Sequence, residues 1–260
     1  MELPSLYFSS QAMNLKAVQE NGLYLRYIEN QDEFICAEAI RQNPRAIQFV
    51  KRQSVDLCLL AVKVSGDVLQ YIDFPTKEVC LAAVKNEGLA LQYILFPDEE
   101  ICLAAICQNG FALKYIEHQT DELCKVAVRE FPLAIKYVKN QTKELCLMAL
   151  KQDGMAIEWI RQVNDAMKLL AVEISPMAIQ HIEKPDFELC FLAVSLKPYT
   201  IQYIQNANLD LWKAAIKKKP FVIKFLDYFS SELIELAIQC NPMSIKYIKK
   251  EFRPIQKEFL

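Results

Sequence analysis

The stretch Cys80-Leu-Ala-Ala-Val-Lys-Asn-Glu-Gly88-Leu-Ala-Leu-Gln-Tyr93-Ile94 decides the fold, because its main features recur along the chain every 22 residues. Ala83 belongs to a column of alanines with this spacing. The eleven members are Ala17, Ala39, Ala61, Ala83, Ala105, Ala127, Ala149, Ala171, Ala193, Ala215 and Ala237. A fixed period of this length indicates a solenoid, a propeller or another repeat array.

Two further columns indicate where helices begin, with positions counted from the column alanine of each repeat. Position −7 holds Ser, Thr, Asp or Asn in all eleven repeats, and these residues cap helix N-termini. Position +5 holds five glycines and six prolines, and proline is favoured in the first turn of a helix. Asn43, Ser175 and Asn241 precede such prolines and are predicted caps. Each repeat is therefore predicted to be a helix of about nine residues, a tight turn and a second helix of about eight.

The apolar pattern supports helices and predicts the core. In the first helix, apolar residues occupy positions −4, −3, 0 and +1, which is the stripe of a helix buried on one face. In the second helix they occupy +8 and +11, with a ring in every repeat at +10, from Tyr27 to Tyr247. We expect the alanine where the two helices of a repeat approach closely, and the ring in the wider space beside it. Asn14 replaces the apolar residue at −3 in the first repeat, as expected where the stack meets water.

These columns predict an all-α fold, an α-solenoid of about eleven helix-turn-helix repeats stacked into a superhelix. Stacking is required because isolated helices shorter than about 12–15 residues are marginal in water. The predicted organisation is an N-terminal cap segment at 1–9, a single solenoid domain at 10–251 and a C-terminal tail at 252–260.

Composition argues against a membrane or secreted protein. The net charge of −2 gives no general attraction to nucleic acid or anionic lipid. The longest apolar run, at 101–107, is far shorter than the roughly 18 residues of a membrane span. Residues 1–5 lack the basic and apolar parts of a secretory signal. We expect a cytoplasmic protein.

Seven of the nine cysteines share position −3, and we interpret them as buried free thiols rather than a metal or redox ladder. Equivalent residues of stacked helices lie roughly 8–10 Å apart, beyond the ~7 Å that a disulfide can bridge. Zinc needs four donors around one point, and each repeat offers one. We predict no metal and no cofactor.

Nothing in the sequence has the pattern of an active site. The two histidines, His118 and His181, have no recognisable nucleophile motif beside them, and His181 takes a place in the ring column. The glycines are isolated at repeat turns and form no phosphate-binding loop. We predict no catalytic residue and no enzymatic activity.

We expect function in the columns that vary while the core columns repeat, namely −6, +2, +6 and +9. The leading hypothesis is a scaffold that binds another protein across an extended concave surface. Position +9 carries a long polar residue in every repeat, beginning with Arg26. The predicted partner-binding residues are Gln48, Gln70, Gln92, Lys114, Lys136, Glu158, Gln180, Gln202, Lys224 and Lys246.

Two alternatives remain open. A polar residue beside an aromatic in each repeat also suits a helical RNA reader. A basic cluster near the C-terminus (Lys217, Lys218, Lys219, Lys249, Lys250 and Arg253) is a weak candidate for an anion site.

The second alternative is that the chain assembles into a larger particle through apolar ends. The residues of those ends are Leu3, Leu6, Tyr7, Phe8, Phe252 and Phe259.

The segment quoted at the start resembles an uncharacterised tandem repeat, a domain of unknown function abundant in giant DNA viruses of amoebae and found in some bacteria and protists. Ala83, Gly88, Leu91 and Tyr93 carry the resemblance, which extends over about residues 10–251. Later repeats depart from it by placing proline at the glycine position. The resemblance implies a viral or host-facing interaction protein, in the host cytoplasm if viral. It supplies no catalytic residues.

Overall fold

A computed structural model describes residues 10–226, 230–248 and 252, and every repeat in this part of the chain contains one α-helix followed by one 3-10 helix. The α-helices are α1 (Gln11–Glu20), α2 (Glu33–Gln42), α3 (Val55–Val64), α4 (Lys77–Asn86), α5 (Glu99–Gln108), α6 (Asp121–Glu130), α7 (Lys143–Gln152), α8 (Asp165–Ile174), α9 (Phe187–Leu196), α10 (Leu209–Lys218) and α11 (Ser231–Cys240). The 3-10 helices are η1 (Gly22–Tyr27), η2 (Pro44–Phe49), η3 (Gly66–Tyr71), η4 (Gly88–Tyr93), η5 (Gly110–Tyr115), η6 (Pro132–Tyr137), η7 (Gly154–Trp159), η8 (Pro176–His181), η9 (Pro198–Tyr203), η10 (Pro220–Phe225) and η11 (Pro242–Tyr247). The described residues contain no strand, so the all-α, solenoid-like repeat fold is confirmed.

The predicted N-caps of the α-helices are confirmed in every repeat. The side chain at −7 accepts a hydrogen bond from the backbone N–H three residues later, as in Ile35 N to Asp32 Oδ1 at 2.7 Å. This bond satisfies one of the four amides that the first turn of a helix leaves unpaired. Of the three caps predicted before prolines, Asn43 and Asn241 accept a hydrogen bond from the backbone N–H two residues later, whereas Ser175 makes no side-chain cap bond.

The second element is shorter and tighter than predicted, a six-residue 3-10 helix instead of a helix of about eight residues. Its bonds join residues three apart, as from Tyr24 N to Asn21 O (2.9 Å) and from Ile28 N to Leu25 O (3.1 Å). Positions +8 and +11 are buried in most repeats and are three apart, as is +5 where it is glycine, and this spacing suits the 3.0 residues per turn of a 3-10 helix. Position +7 is buried as well in ten of the eleven repeats.

The core consists of the predicted α-helical stripe and the inner side of the 3-10 helices. The column alanine is fully buried in repeats 2 to 11, and positions −4, +1 and +8 are buried in most repeats. Asn14 is only 7% exposed, so the expectation that it meets water is wrong. Its Oδ1 accepts no hydrogen bond from any described residue.

Glycine at +5 allows neighbouring repeats to approach closely. A Cβ built on Gly88 would lie 2.4 Å from the carbonyl oxygen of Ala105, which is the column alanine of the next repeat. Gly22, Gly66 and Gly154 face the next column alanine in the same way, at 2.2–2.5 Å. The close approach at the alanine therefore joins successive repeats, whereas we expected it within one repeat.

Glutamines at +14 join successive repeats through backbone hydrogen bonds. Gln53 Nε2 donates to Ile47 O of its own repeat (3.2 Å) and to Tyr71 O of the next (2.8 Å). Its Oε1 accepts from Asp73 N at 3.1 Å. Gln31 and Gln119 make the same three bonds. These amides satisfy backbone groups at the end of the 3-10 helix, where the regular bonding pattern ends.

The chain divides into two compact units, Met1–Lys139 and Asn140–Leu260. Within each unit, consecutive α-helices pack against each other and consecutive 3-10 helices do the same, which gives one layer of each kind. None of the helices in the described ranges has the length and apolar character needed to cross a membrane. The predicted cap segment at 1–9, the tail apart from Phe252, and the basic residues Lys249, Lys250 and Arg253 lie outside the described residues.

Candidate binding face

The predicted partner-binding residues all lie at the protein surface. Position +9 is the fifth residue of each 3-10 helix, and it is exposed in all eleven repeats. It points away from the core, whereas +7 and +8 of the same helix are buried in most repeats. The ten predicted residues thus form one surface row within each compact unit, from Gln48 to Lys136 in the first unit and from Glu158 to Lys246 in the second.

The rings at +10 are not core residues, contrary to our expectation. None of the eleven is buried, and Tyr27, Tyr203 and Tyr247 are 40%, 37% and 47% exposed. Position +10 is the last residue of the 3-10 helix, three residues after the buried position +7 and beside the surface row at +9, and its side chain is only partly covered. His181 follows the same pattern and is half-buried, with Nε2 3.7 Å from Glu158 Oε2 of the preceding repeat.

The residue at +6 covers the ring of the following repeat. Phe111 packs edge-on against Tyr137 with ring centroids 5.8 Å apart, and Phe221 lies 5.2 Å from Tyr247. Position +6 is apolar or aromatic in nine of eleven repeats and half-buried in most, so the expectation of a variable, exposed column is wrong there. The two exceptions, Arg45 and Asp67, form an ion pair at 3.2 Å.

Cationic residues at +9 lie over the neighbouring rings. Lys114 Nζ is 4.4 Å from the Tyr115 ring centroid, and Lys224 Nζ is 4.7 Å from that of Phe225. The Tyr115 hydroxyl raises the pKa of Lys114 through a side-chain hydrogen bond. Such cation–π contacts are worth roughly 0.5–1 kcal/mol at exposed sites, so they orient the side chains more than they stabilise the fold.

The glutamines at +9 are also held in place. The amide nitrogens of Gln48, Gln70 and Gln202 donate to the carbonyl three residues earlier, at 2.9–3.0 Å. The Tyr115 hydroxyl donates to Gln92 Oε1 at 3.2 Å, from the next repeat. We call the surface formed by positions +6, +9 and +10 the aromatic face. It combines apolar side chains and rings with ordered polar groups.

The cysteine column is buried, as predicted. Cys36, Cys58, Cys80, Cys102, Cys124, Cys146 and Cys190 are buried free thiols, whereas Cys107 and Cys240 are exposed. Burial raises the pKa of the Cys36 thiol to about 11, with further contributions from the Asp32 and Glu33 carboxylates. Among the described residues, no group of three or more His, Cys, Asp or Glu side chains is arranged to hold a metal ion.

One open groove lies at the first three repeats, and Tyr27 of the aromatic face is part of its lining. It has a volume of about 1220 Å³ and is lined by residues of the first three repeats, among them Asn14, Glu29, Asp32 and Arg52. Its lining holds the carboxylates of Glu29, Asp32 and Glu33 and the cations of Lys51 and Arg52. The Ser54 hydroxyl donates a hydrogen bond to Glu33 Oε1 there, at 2.9 Å.

The fold and the aromatic face together define a helical repeat protein of the solenoid-like class. Residues 76–119, which comprise the fourth and fifth repeats, are similar to the family described as Domain of unknown function (DUF4116). This match agrees with the resemblance of the repeat to an uncharacterised domain, while the viral distribution stays a prediction. Neither the comparison with curated proteins nor that with solved structures gives a match.

Proposed function

We propose that the chain is a non-enzymatic scaffold that binds another protein along the aromatic face. The observation that carries the proposal is the composition of this surface. The +6 column is mainly Leu, Met and Phe, and the +10 column is aromatic in ten of eleven repeats. Aromatic residues and methionine are enriched in protein–protein interfaces, where large rigid side chains give contact area at little entropic cost.

The row at +9 would supply specificity. It changes from arginine to glutamine, lysine and glutamate along the chain, while the buried columns hardly change. Contacts with neighbouring rings and carbonyls restrict several of these side chains before any partner binds. Restricted side chains lose less conformational entropy on binding, which favours affinity.

Single-stranded RNA is the second candidate ligand. The corrected position of the rings favours it, because half-exposed rings beside cations can stack with bases. The aromatic face of the first unit carries positive charge at position +9, from Arg26, Lys114 and Lys136. The +6 side chains weigh against it, since they cover rings such as Tyr137 that a base would need.

Site-specific photocrosslinking in expressing cells tests the proposal. A benzoylphenylalanine is placed at Gln70 or Gln92 of the aromatic face. The matched controls carry it at Lys63 or Lys85, at position +2 in the last turn of the α-helices of the same repeats, which the proposal leaves outside the binding surface. All four positions are exposed. We expect protein adducts from the first pair and none from the second.

The nature of the adduct separates the candidates. A crosslinked species that ribonuclease leaves intact supports protein binding. One that disappears with ribonuclease, and weakens when Lys114 and Lys136 become glutamate, supports RNA instead. Equal yields at all four positions, or no adduct at any, would count against a binding role of the aromatic face.

A further inference from the structure

Three large apolar side chains stand out on the loops of the first unit. Phe74, Leu95 and Phe96 are 95%, 88% and 93% exposed, whereas the next most exposed large apolar residue among those described, Phe34, is at 58%. Partly exposed apolar side chains are ordinary on protein surfaces. Side chains that are almost completely exposed and lie close together are not, and they mark interaction sites. We call these three residues the loop patch.

The repeat itself does not require the loop patch. Phe74 and Phe96 both occupy position +13, which is polar in every other repeat described from 10 to 226. The other residues at this position are Asn30, Arg52, His118, Asn140, Gln162, Lys184 and Asn206. Leu95 occupies +12, where the other described repeats carry charged residues or Gln205. Stacking of repeats therefore proceeds without apolar residues here, and their presence needs another explanation.

Each of the two phenylalanines is followed by a proline. Phe74 directly precedes Pro75, and Phe96 directly precedes Pro97, at position +14, where four other repeats carry the joining glutamine. Proline disfavours the α conformation for the residue before it, which narrows the backbone conformations of both phenylalanines. Because equivalent positions of stacked repeats lie roughly 8–10 Å apart, the two phenylalanines are neighbours on the surface of the first unit. A narrower set of backbone conformations lowers the entropic cost of binding.

The surroundings of the loop patch are strongly acidic. The segments 73–78, 95–100 and 117–122 hold eight acidic residues and one lysine, and all eight acidic residues are exposed. The lysine, Lys77, forms ion pairs with Asp98 and Glu100, both at 2.7 Å. The hydrogen bond from Lys77 lowers the pKa of Asp98. Lys51 and Arg52 of the preceding loop mark the end of this acidic region.

We propose that the loop patch is a second docking surface, separate from the aromatic face, and that it takes a basic protein segment with apolar side chains. The apolar side chains of that segment pack around the Phe74 and Phe96 rings, and its lysines or arginines pair with the surrounding carboxylates. Charge complementarity selects this occupant. An anionic lipid surface or an acidic segment would be repelled by the same carboxylates.

Selection of displayed peptides on the full chain tests this proposal without assuming a partner. Random peptides are selected at low salt on the unaltered protein, after depletion on the double variant F74S/F96S. Peptides that survive should carry net positive charge and at least two large apolar residues. Selection that yields only neutral or acidic peptides, or none that distinguishes the two proteins, overturns the proposal.

Binding of one selected peptide, measured by fluorescence anisotropy, locates the site. We expect F74S/F96S to weaken binding at least about 10-fold, as for the central residues of an interface. The matched control is F187S/F191S, which removes two phenylalanines that are 45% and 44% exposed on α9, and it should bind as the unaltered protein does. The charge-reversal variant E99K/E122K should also weaken binding. Equal losses in the control variant would overturn the proposal.

Two further measurements exclude other occupants. Sedimentation with vesicles of phosphatidylcholine and phosphatidylserine should not depend on Phe74 and Phe96. A dependence would overturn the proposal in favour of a membrane. Light scattering of the unaltered protein and of F74S/F96S should give the same mass. An oligomer that the double variant dissociates would overturn it in favour of a second copy of this chain.

Discussion

Replacing Gly88 by alanine tests the close approach between repeats, because two effects of opposite sign compete there. None of the glycines in the described residues has a positive φ, so alanine can adopt the backbone conformation. Restricting the unfolded chain would then stabilise the protein by about 0.4–1 kcal/mol. If the stack left room for a methyl group, G88A would be a stabilising variant.

The structure leaves no such room, and it fixes the expected sign. The new Cβ would lie 2.4 Å from Ala105 O, about 1 Å inside an ordinary contact. That oxygen already accepts a hydrogen bond from Asn109 N at 2.8 Å, and Gly88 N donates to Gln108 Oε1 at 2.6 Å. Relieving the overlap therefore strains two bonds. Overpacking costs about 1–3 kcal/mol, which exceeds the gain from the unfolded chain, so we expect net destabilisation by about 1–2 kcal/mol.

Urea unfolding followed by circular dichroism measures the effect. The midpoint for G88A should fall, and the neighbouring control Glu87→Ala, whose side chain makes no cap bond, should change stability by less than about 0.5 kcal/mol. Because repeat proteins can unfold in more than one step, midpoints are compared transition by transition. A G88A protein as stable as the parent, or more so, would refute the close approach of Gly88 to the next repeat.

Two other predictions concern the joints between repeats and the buried thiols. Gln53→Ala removes three hydrogen bonds between successive repeats and should lower the free energy of unfolding by about 1–3 kcal/mol in the same assay. The control Gln48→Ala, which removes an amide that donates within its own repeat, should lower it by less than about 0.5 kcal/mol. Equal losses would contradict the role of Gln53 in joining the repeats. In the folded protein at pH 8, Ellman's reagent should react quickly with the two exposed thiols, Cys107 and Cys240, and with the seven buried ones only after unfolding. Because the pKa of Cys36 is about 11, roughly one-thousandth of this thiol is ionised at pH 8, and it becomes ionised as the pH approaches 11. Rapid labelling of more than two thiols at pH 8 would contradict the burial of the seven cysteines.

The sequence predicted those parts of the fold that depend on local rules. The cap at −7 acts within one repeat, and glycine or proline at +5 interrupts a helix by its local backbone properties, so Asp32 and Gly88 indicated helix starts without knowledge of tertiary contacts. The type of the second helix was missed because a spacing of three was interpreted as part of an α-helical stripe. Leu25 and Ile28 fit both, and the 3-10 geometry aligns Gly22 with them more closely than an α-helix would.

The candidate binding residues were predictable only in part. The row at +9 could be identified as a surface because it is polar in every repeat, and the structure places it there. The rings at +10 were assigned to the core because size and aromatic character usually accompany burial. Contacts across repeats, such as Phe111 with Tyr137, decide their real environment, and no pattern within one repeat reveals them.

In this chain, the residues that make the repeats similar differ from the residues that we propose for function. Ala83, Gly88 and Leu91 carry the resemblance of the fourth repeat to other proteins, and all three are buried. A comparison that relies on such residues detects how repeats stack, because stacking constrains the buried columns most strongly. The binding that we propose depends instead on departures from the repeat, such as Phe96 at a position that is otherwise mostly polar. Two proteins with the same repeat can therefore share the stack and bind unrelated partners, so the partner of this chain has to be sought through the exposed residues at +9 and in the loop patch.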